Sequence, residues 1–218
     1  MLSIIIPVYN EEKTIAEIIS RANSLPIEKE IVVVNDCSKD RTAEVLRQLS
    51  FNNLKVIHHA STRGKGAALR SGLDNVTGEF VIVQEADLEY DPNDYLSLLE
   101  AINSGKADIV LGSRFAKGKT ASCLLTGLMN KLFRVKLNDC FSCYKLMRRE
   151  SILGLGLKSE GFDIELEILV KAIKKGMRIL EIPVSPNLRS HKKAKMIGAG
   201  DAIWAIMRIV YFKVCLTQ

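Results

Sequence analysis

Glu85, Asp87 and Glu89 stand at alternate positions directly after the apolar run EFVIV, in a 218-residue chain of formal net charge +6. Side chains two apart in an extended turn point the same way. Carboxylates so arranged offer hard oxygen ligands to Mg²⁺ or Mn²⁺ and leave positions open for phosphate oxygens. A cation held there serves as a Lewis acid for a diphosphate leaving group. Asp91 and Asp94 suit another purpose, because they flank Pro92 at a helix start and complement its dipole. The metal edge is therefore read as Glu85, Asp87 and Glu89.

Basic residues gather elsewhere. Residues 1–100 hold 10 Lys and Arg against 16 Asp and Glu, a net of −6, and residues 101–218 hold 21 against 9, a net of +12. An acidic half facing a basic half points to an anionic ligand such as a phosphorylated lipid, a membrane surface or a nucleic acid. Nucleic acid fits poorly, since the basic residues are not interleaved with aromatics and the acidic edge repels phosphate. Gly64-Lys65-Gly66 lacks the full spacing of a phosphate loop, which weakens an ATPase reading. Lys65 either faces a nucleotide diphosphate or stands solvated at a helix start.

The elements that must position these groups follow from periodicity. Residues 2–8, 30–36, 54–59, 79–87 and 107–113 are short runs rich in Ile and Val, apolar on both faces, alternating with helical patterns. Such runs predict a parallel sheet covered by helices, a doubly wound α/β fold. Helices are expected near 11–25 (Asn10 as N-cap), 41–49 and 65–76, and again near 94–102, 121–136, 164–175 and 201–216. Further strands are expected over 143–147 and 177–184. Ligands in this fold class bind outside the carboxyl ends of the strands. That rule selects Pro7–Glu11, Asn35-Asp36, Arg63–Lys65, Glu85–Glu89 and Ser113-Arg114.

Length and an ordinary 47% hydrophobic content predict one domain over 1–218, with a nucleotide-binding half (1–115), an acceptor half (116–200) and a C-terminal amphipathic helix (201–216). Five scattered cysteines read as isolated thiols, and Cys140-x-x-Cys143 lacks a second pair or a nearby His for zinc. No segment reads as a signal peptide or reaches the roughly 20 apolar residues of a spanning helix, so a cytoplasmic protein is expected.

Six segments in order carry a family resemblance: PVYNE (7–11), VNDCSKDRT (34–42), RGKGAALRSG (63–72), EADLE (85–89), GSR (112–114) and LRSHKKAK (188–195). Over nearly the whole chain the sequence resembles the family-2 inverting glycosyltransferases, and within them the dolichyl- and polyprenyl-phosphate hexose synthases. The resemblance implies a GT-A type nucleotide-sugar-binding fold, with a mostly parallel sheet flanked by helices. It implies that Pro7, Tyr9, Glu11, Val34 and Asp36 hold base and ribose. Glu85, Ala86 and Asp87 correspond to the Asp-x-Asp signature, with Glu89 at a third metal-facing position. It implies that Arg114, Arg189 and Lys195 grip the donor diphosphate and the acceptor phosphate and, with Asp87, form the catalytic set. Lys131, Arg134, Lys192 and Lys193 are the candidates for the acceptor phosphate. Glu85 departs from the signature, which has Asp there, and the segment 139–145 matches only in part.

The implied reaction moves a hexose from a UDP-hexose or GDP-mannose to a polyprenyl phosphate, with Mg²⁺ or Mn²⁺ as cofactor. A lipid phosphate is already an anion and attacks without a general base. A hydroxyl acceptor on a glycan or protein is the alternative, and requires a base, for which Asp139 is the candidate. A non-catalytic nucleotide-sugar-binding module is the alternative of another class. The apolar surface of the final helix and the basic 189–195 cluster suit the inner face of a membrane. Packing on its own domain, a second subunit or a membrane protein is the other destination for that helix.

Overall fold

The computed structural model describes residues 1–114, 121–185 and 199–215. Seven strands form one sheet: β1 (Leu2–Val8), β2 (Lys29–Asn35), β3 (Leu54–His58), β4 (Phe80–Val83), β5 (Ile109–Ser113), β6 (Lys145–Arg148) and β7 (Ile179–Pro183). Their spatial order is β3-β2-β1-β4-β6-β5-β7. All pairings are parallel except those of β6, which runs antiparallel between β4 and β5. The helices are α1 (Ile15–Ser24), α2 (Thr42–Gln48), α3 (Lys65–Leu73), α4 (Tyr95–Asn103), α5 (Ala121–Phe133), α6 (Arg149–Leu153), α7 (Ile164–Lys174) and α8 (Ala199–Cys215).

Strand alternation sorts the core into two layers. Ile4, Ile6, Ile31 and Val33 face α1 and α4 residues such as Ile18 and Leu98. Ile5, Val32 and Val34 face the other way, onto α3 and into the layer that also holds α5, α7 and α8. Both faces of β1 and β2 are covered, which is why these strands carry continuous β-branched runs rather than alternating polar residues. The order of strands reverses between β1 and β4, and there the lengths differ. The β4 ladder ends at Val83 opposite Ile5, while β1 continues to Val8 on β2 alone. That mismatch opens a crevice at the carboxyl ends of both strands, the place where sheets of this class take ligands.

Several expectations change. The first helix begins at Ile15 rather than near Glu11, and Asn10 is not its cap: it sits at φ 57, in the left-handed region, and works in a loop contact described below. The strand expected over 143–147 is Lys145–Arg148, and α6 follows it without a break. Val34, expected at the base and ribose, is fully buried in the core, and its side chain does not reach the crevice. Arg189, Lys192, Lys193 and Lys195 lie outside the described residues. None of the described helices is long and apolar enough to cross a membrane.

Candidate active site

The crevice is a cleft of about 320 Å³. Pro7, Tyr9, Glu11, Asp36, Lys65, Glu85, Ala86 and Asp87 line it together with Thr62, Gly64 and Phe162. The sheet thus brings together residues from four separate strand ends.

The first wall is a pair of interlocked loops. After β1, Asn10 N–H donates to Ser38 Oγ (3.0 Å), Glu11 N–H to Thr42 Oγ1 (2.9 Å) and Glu12 N–H to Asp40 Oδ2 (3.1 Å). In return the post-β2 loop donates Lys39 N–H to Asn10 Oδ1 (2.7 Å) and Arg41 N–H to Glu12 Oε2 (3.0 Å). The Ser, Asp and Thr of SKDRT are therefore scaffolding that presents Tyr9 and Glu11. Asp36 is anchored as well. Its carboxylate accepts the backbone N–H groups of Arg63 (2.9 Å) and Gly64 (2.7 Å) and meets His59 Nδ1 at 2.7 Å, with Ser71 Oγ on the far ring nitrogen at 2.9 Å.

The second wall is the acid turn, fixed from behind by Gln84. Its buried Oε1 accepts the Tyr95 hydroxyl (2.6 Å) and the Tyr144 hydroxyl, and its amide donates to the Glu85 (2.9 Å) and Tyr90 carbonyls. Leu88 is held at φ 65, and Glu89 N–H donates to Asp87 Oδ1 (3.0 Å). A leucine in that backbone region is strained. The strain lies inside the EADLE turn, where surrounding contacts over-determine the chain.

Burial first, then the charges of Glu85, Glu89 and Glu11, push the Asp87 carboxyl up to about 7. Among the described residues no basic side chain forms an ion pair with it. An uncompensated carboxylate in an acidic cleft fits a hard divalent cation. Glu85 behaves differently. It is ion-paired with Lys65, whose ammonium also meets Glu165 Oε1 at 2.7 Å; Lys145 takes the second Glu165 oxygen at 2.6 Å. Burial opposes the charge on Lys65, but Cys143, Glu165 and Glu85 together hold its pKa well above the lysine range. Burial likewise opposes the charge on Glu165, which Lys145 and Lys65 outweigh, so its pKa is lowered.

The Gly-Lys-Gly helix start is not a phosphate cradle. Gly66 N–H (2.7 Å) and Ala67 N–H (3.2 Å) both donate to the Glu160 carbonyl, closing the α3 end against the segment before α7. A Cβ on Gly66 would stand 2.3 Å from the Ser159 carbonyl oxygen, and one on Gly64, at φ 95, 2.4 Å from that of Glu160. These glycines serve close approach of two chain segments.

Arg114 stands beside the acid turn. Its Nε donates to Asp139 Oδ2 (2.9 Å), its guanidinium lies 3.9 Å from Glu89 Oε2, and it stacks over the Tyr90 ring at 5.7 Å. Asp139 is almost fully buried and also accepts Phe141 N–H, which makes it an orienting group for Arg114. Lys131 and Arg134 are exposed and do not line the cleft. The described cysteines are free thiols; burial pushes Cys140 up to about 12. Sequence reading passed over Gln84, His59, Lys145, Phe162 and Glu165. The available signal was charge inside apolar runs: Lys145 in CYKLM and Glu165 in DIELEIL.

This arrangement, a mostly parallel sheet with an acid turn at the β1/β4 switch point, is a fold of the GT-A type. The chain aligns along 98% of its length with glucosyl-3-phosphoglycerate synthase from Mycobacterium tuberculosis in complex with UDP, covering 80% of that chain at TM-score 0.77 and 18% identity. The same enzyme has been crystallised with Mn²⁺ or Mg²⁺ and UDP. Residues 3–154 match the model of glycosyl transferase family 2, and the chain belongs to that family. Among curated relatives, it is 32% identical to dolichol-phosphate mannosyltransferase of Pyrococcus furiosus, over 96% of this chain but 62% of that protein. It is 29% identical to polyprenol monophosphomannose synthase of Mycolicibacterium smegmatis, over 90% of this chain and 81% of the other.

Proposed function

We propose that the protein is an inverting hexosyltransferase acting between a nucleotide diphosphate sugar and a polyprenyl phosphate. The observation that carries this reading is the shared cleft: the PVYNE loop, Asp36 and the Glu85–Asp87 turn meet at one strand-end crevice in a family-2 chain. Its relatives are named for transfer to dolichol or polyprenol phosphate.

In this reading Pro7, Tyr9, Glu11 and Asp36 seat the base and ribose. Asp87, with Glu89, holds Mg²⁺ or Mn²⁺, which when bound offsets the charge of the donor diphosphate. Arg114, oriented by Asp139, presents its guanidinium to the diphosphate, with Arg189 and Lys195 in the same role. Lys192 and Lys193 are the groups for the acceptor phosphate; Lys131 and Arg134, which do not line the cleft, are not assigned that role. The phosphate oxygen attacks the anomeric carbon from the face opposite the leaving nucleotide, so the configuration inverts. No proton has to be removed, and the engagement of Asp139 by Arg114 supports a phosphate acceptor over a hydroxyl one. The exposed apolar side of α8 supports peripheral attachment where a lipid acceptor resides.

The test is transfer from UDP- and GDP-sugars, with Mn²⁺, to polyprenyl phosphate and to a panel of glycan and peptide hydroxyls. A UDP-sugar is the first expectation and GDP-mannose the second. Lipid-linked product supports the reading, whereas product on hydroxyls alone, or donor binding without turnover, overturns it.

A further inference from the structure

Glu85, Cys143 and Glu165 bring two carboxylate oxygens and a sulfur within 4.8 Å of one another, the spacing of a three-ligand metal site. The Lys65 ammonium already stands among them. It is ion-paired with Glu85, lies 2.7 Å from Glu165 Oε1 and 3.4 Å from Cys143 Sγ. Lys145 extends the chain from the other Glu165 oxygen and donates onward to the Ser142 carbonyl. The side chains of Lys65, Glu165 and Lys145 are each more than nine-tenths buried, and that of Glu85 is 20% exposed.

Two carboxylates and two ammoniums alternate, so the row Glu85–Lys65–Glu165–Lys145 is neutral as a whole. Four different elements contribute: the acid turn, the first residue of α3, the first turn of α7 and the first residue of β6. Drawing Glu85 away to a cation would leave two buried ammoniums sharing the single carboxylate of Glu165, an imbalance that the low-dielectric interior penalises. The extra methylene of Glu, relative to the Asp of the family signature, lengthens the arm that spans to Lys65.

We infer that Glu85 is the counter-ion of Lys65 rather than a ligand of the active-site cation, and that Lys65 is a positioning residue which leaves Asp87 as the principal ligand. This rests on the metal-dependent reading above and assigns the duties within it. The sign of each charge then makes a pattern that a ligand role does not. Removing only the Glu85 charge leaves the row at +1 beside the cation. Removing only the Lys65 charge leaves it at −1, and removing both restores neutrality.

The experiment is a double-mutant cycle read by Mn²⁺ titration with electron paramagnetic resonance, without substrate. Glu85→Gln is expected to weaken Mn²⁺ binding about tenfold and Lys65→Met to tighten it by a similar factor, the size of one nearby partly screened charge. The double variant is expected to bind within about threefold of wild type, whereas Asp87→Asn loses at least tenfold in each background. A double variant that stays as weak as Glu85→Gln overturns the inference, as does wild-type protein that binds no Mn²⁺. Circular dichroism and melting temperature report whether each variant folds, and replacing a buried pair by neutral side chains of similar volume is often tolerated. Since no substrate is present, absence of sugar transfer sinks the proposed function and leaves this result standing. A persistent defect in the double variant sinks the inference with transfer intact.

Discussion

A carboxyl that titrates near 7 stabilises the folded chain only while it carries its proton. Asp87 binds that proton more tightly folded than unfolded, so its contribution is fully present below about pH 4 and is lost as pH rises through about 7. Asp87→Asn is therefore expected to raise Tm by a few degrees at pH 8 in EDTA and to leave it nearly unchanged at pH 4, as calorimetry would show. The same substitution should reduce sugar transfer at least 100-fold, on the order of one lost electrostatic group. An equal Tm change at both pH values would contradict the assigned cause. At this scale the acids were readable because their spacing is local. The partners were not: Lys65 and Glu165 are one hundred positions apart, and only the fold brings α3 against α7.

Among the elements, the acid turn is held by one buried amide. Gln84 satisfies two tyrosine hydroxyls and two carbonyls that would otherwise lie unpaired in the core. Gln84→Met keeps the volume and removes all four bonds. Its expected cost is about 2–4 kcal/mol by urea denaturation, with a larger loss of Mn²⁺ affinity than in a stability-matched core variant such as Ile102→Ala. Preserved Mn²⁺ affinity would mean that the turn is shaped from within. The strands of the first half were legible because buried β-branched runs bounded by turn residues leave few alternatives. The start of α1 was not, because Asn10 reads equally as a cap and as a loop residue, and only the cross-loop bonds to Ser38 and Lys39 decide. The antiparallel β6 was equally hidden, since the direction of a strand entering after a long connection is set by its neighbours.

For the molecule as a whole, the charge asymmetry and the amphipathic end of the chain take on a geometry. Ala205, Ile209 and Phe212 pack α8 onto α5 and α7, while Ile203, Met207, Val210 and Val214 stay exposed on its other side. Of the destinations expected for this helix, packing on its own domain is thus taken by the inner face, while the outer face stays exposed. Trp204, the single tryptophan, lies on the outer side and is a built-in reporter. Its emission is expected to shift to the blue on anionic vesicles, and Ile203→Glu with Met207→Glu should lower partitioning at least tenfold while Tm moves by less than about 2 °C. No shift on vesicles would leave a protein partner as the occupant. The fold class and the location of the cleft could be read from the sequence, because both follow from strand order and strand ends. The hook between α3 and the segment before α7 could not, because it is written in main chain: Gly66 and Ala67 donate to the Glu160 carbonyl. A map of mutational tolerance should show this. Alanine at Glu160 leaves its main-chain acceptor in place and should pass almost unnoticed in a growth or folding screen. Alanine at Gly64 or Gly66 should cost about 2 kcal/mol or more, against about 1 at Gly105, whose φ is 70 but whose surroundings are open. Two intolerant glycines opposite a permissive residue would then mark the seam along which α3 is fastened to the segment before α7.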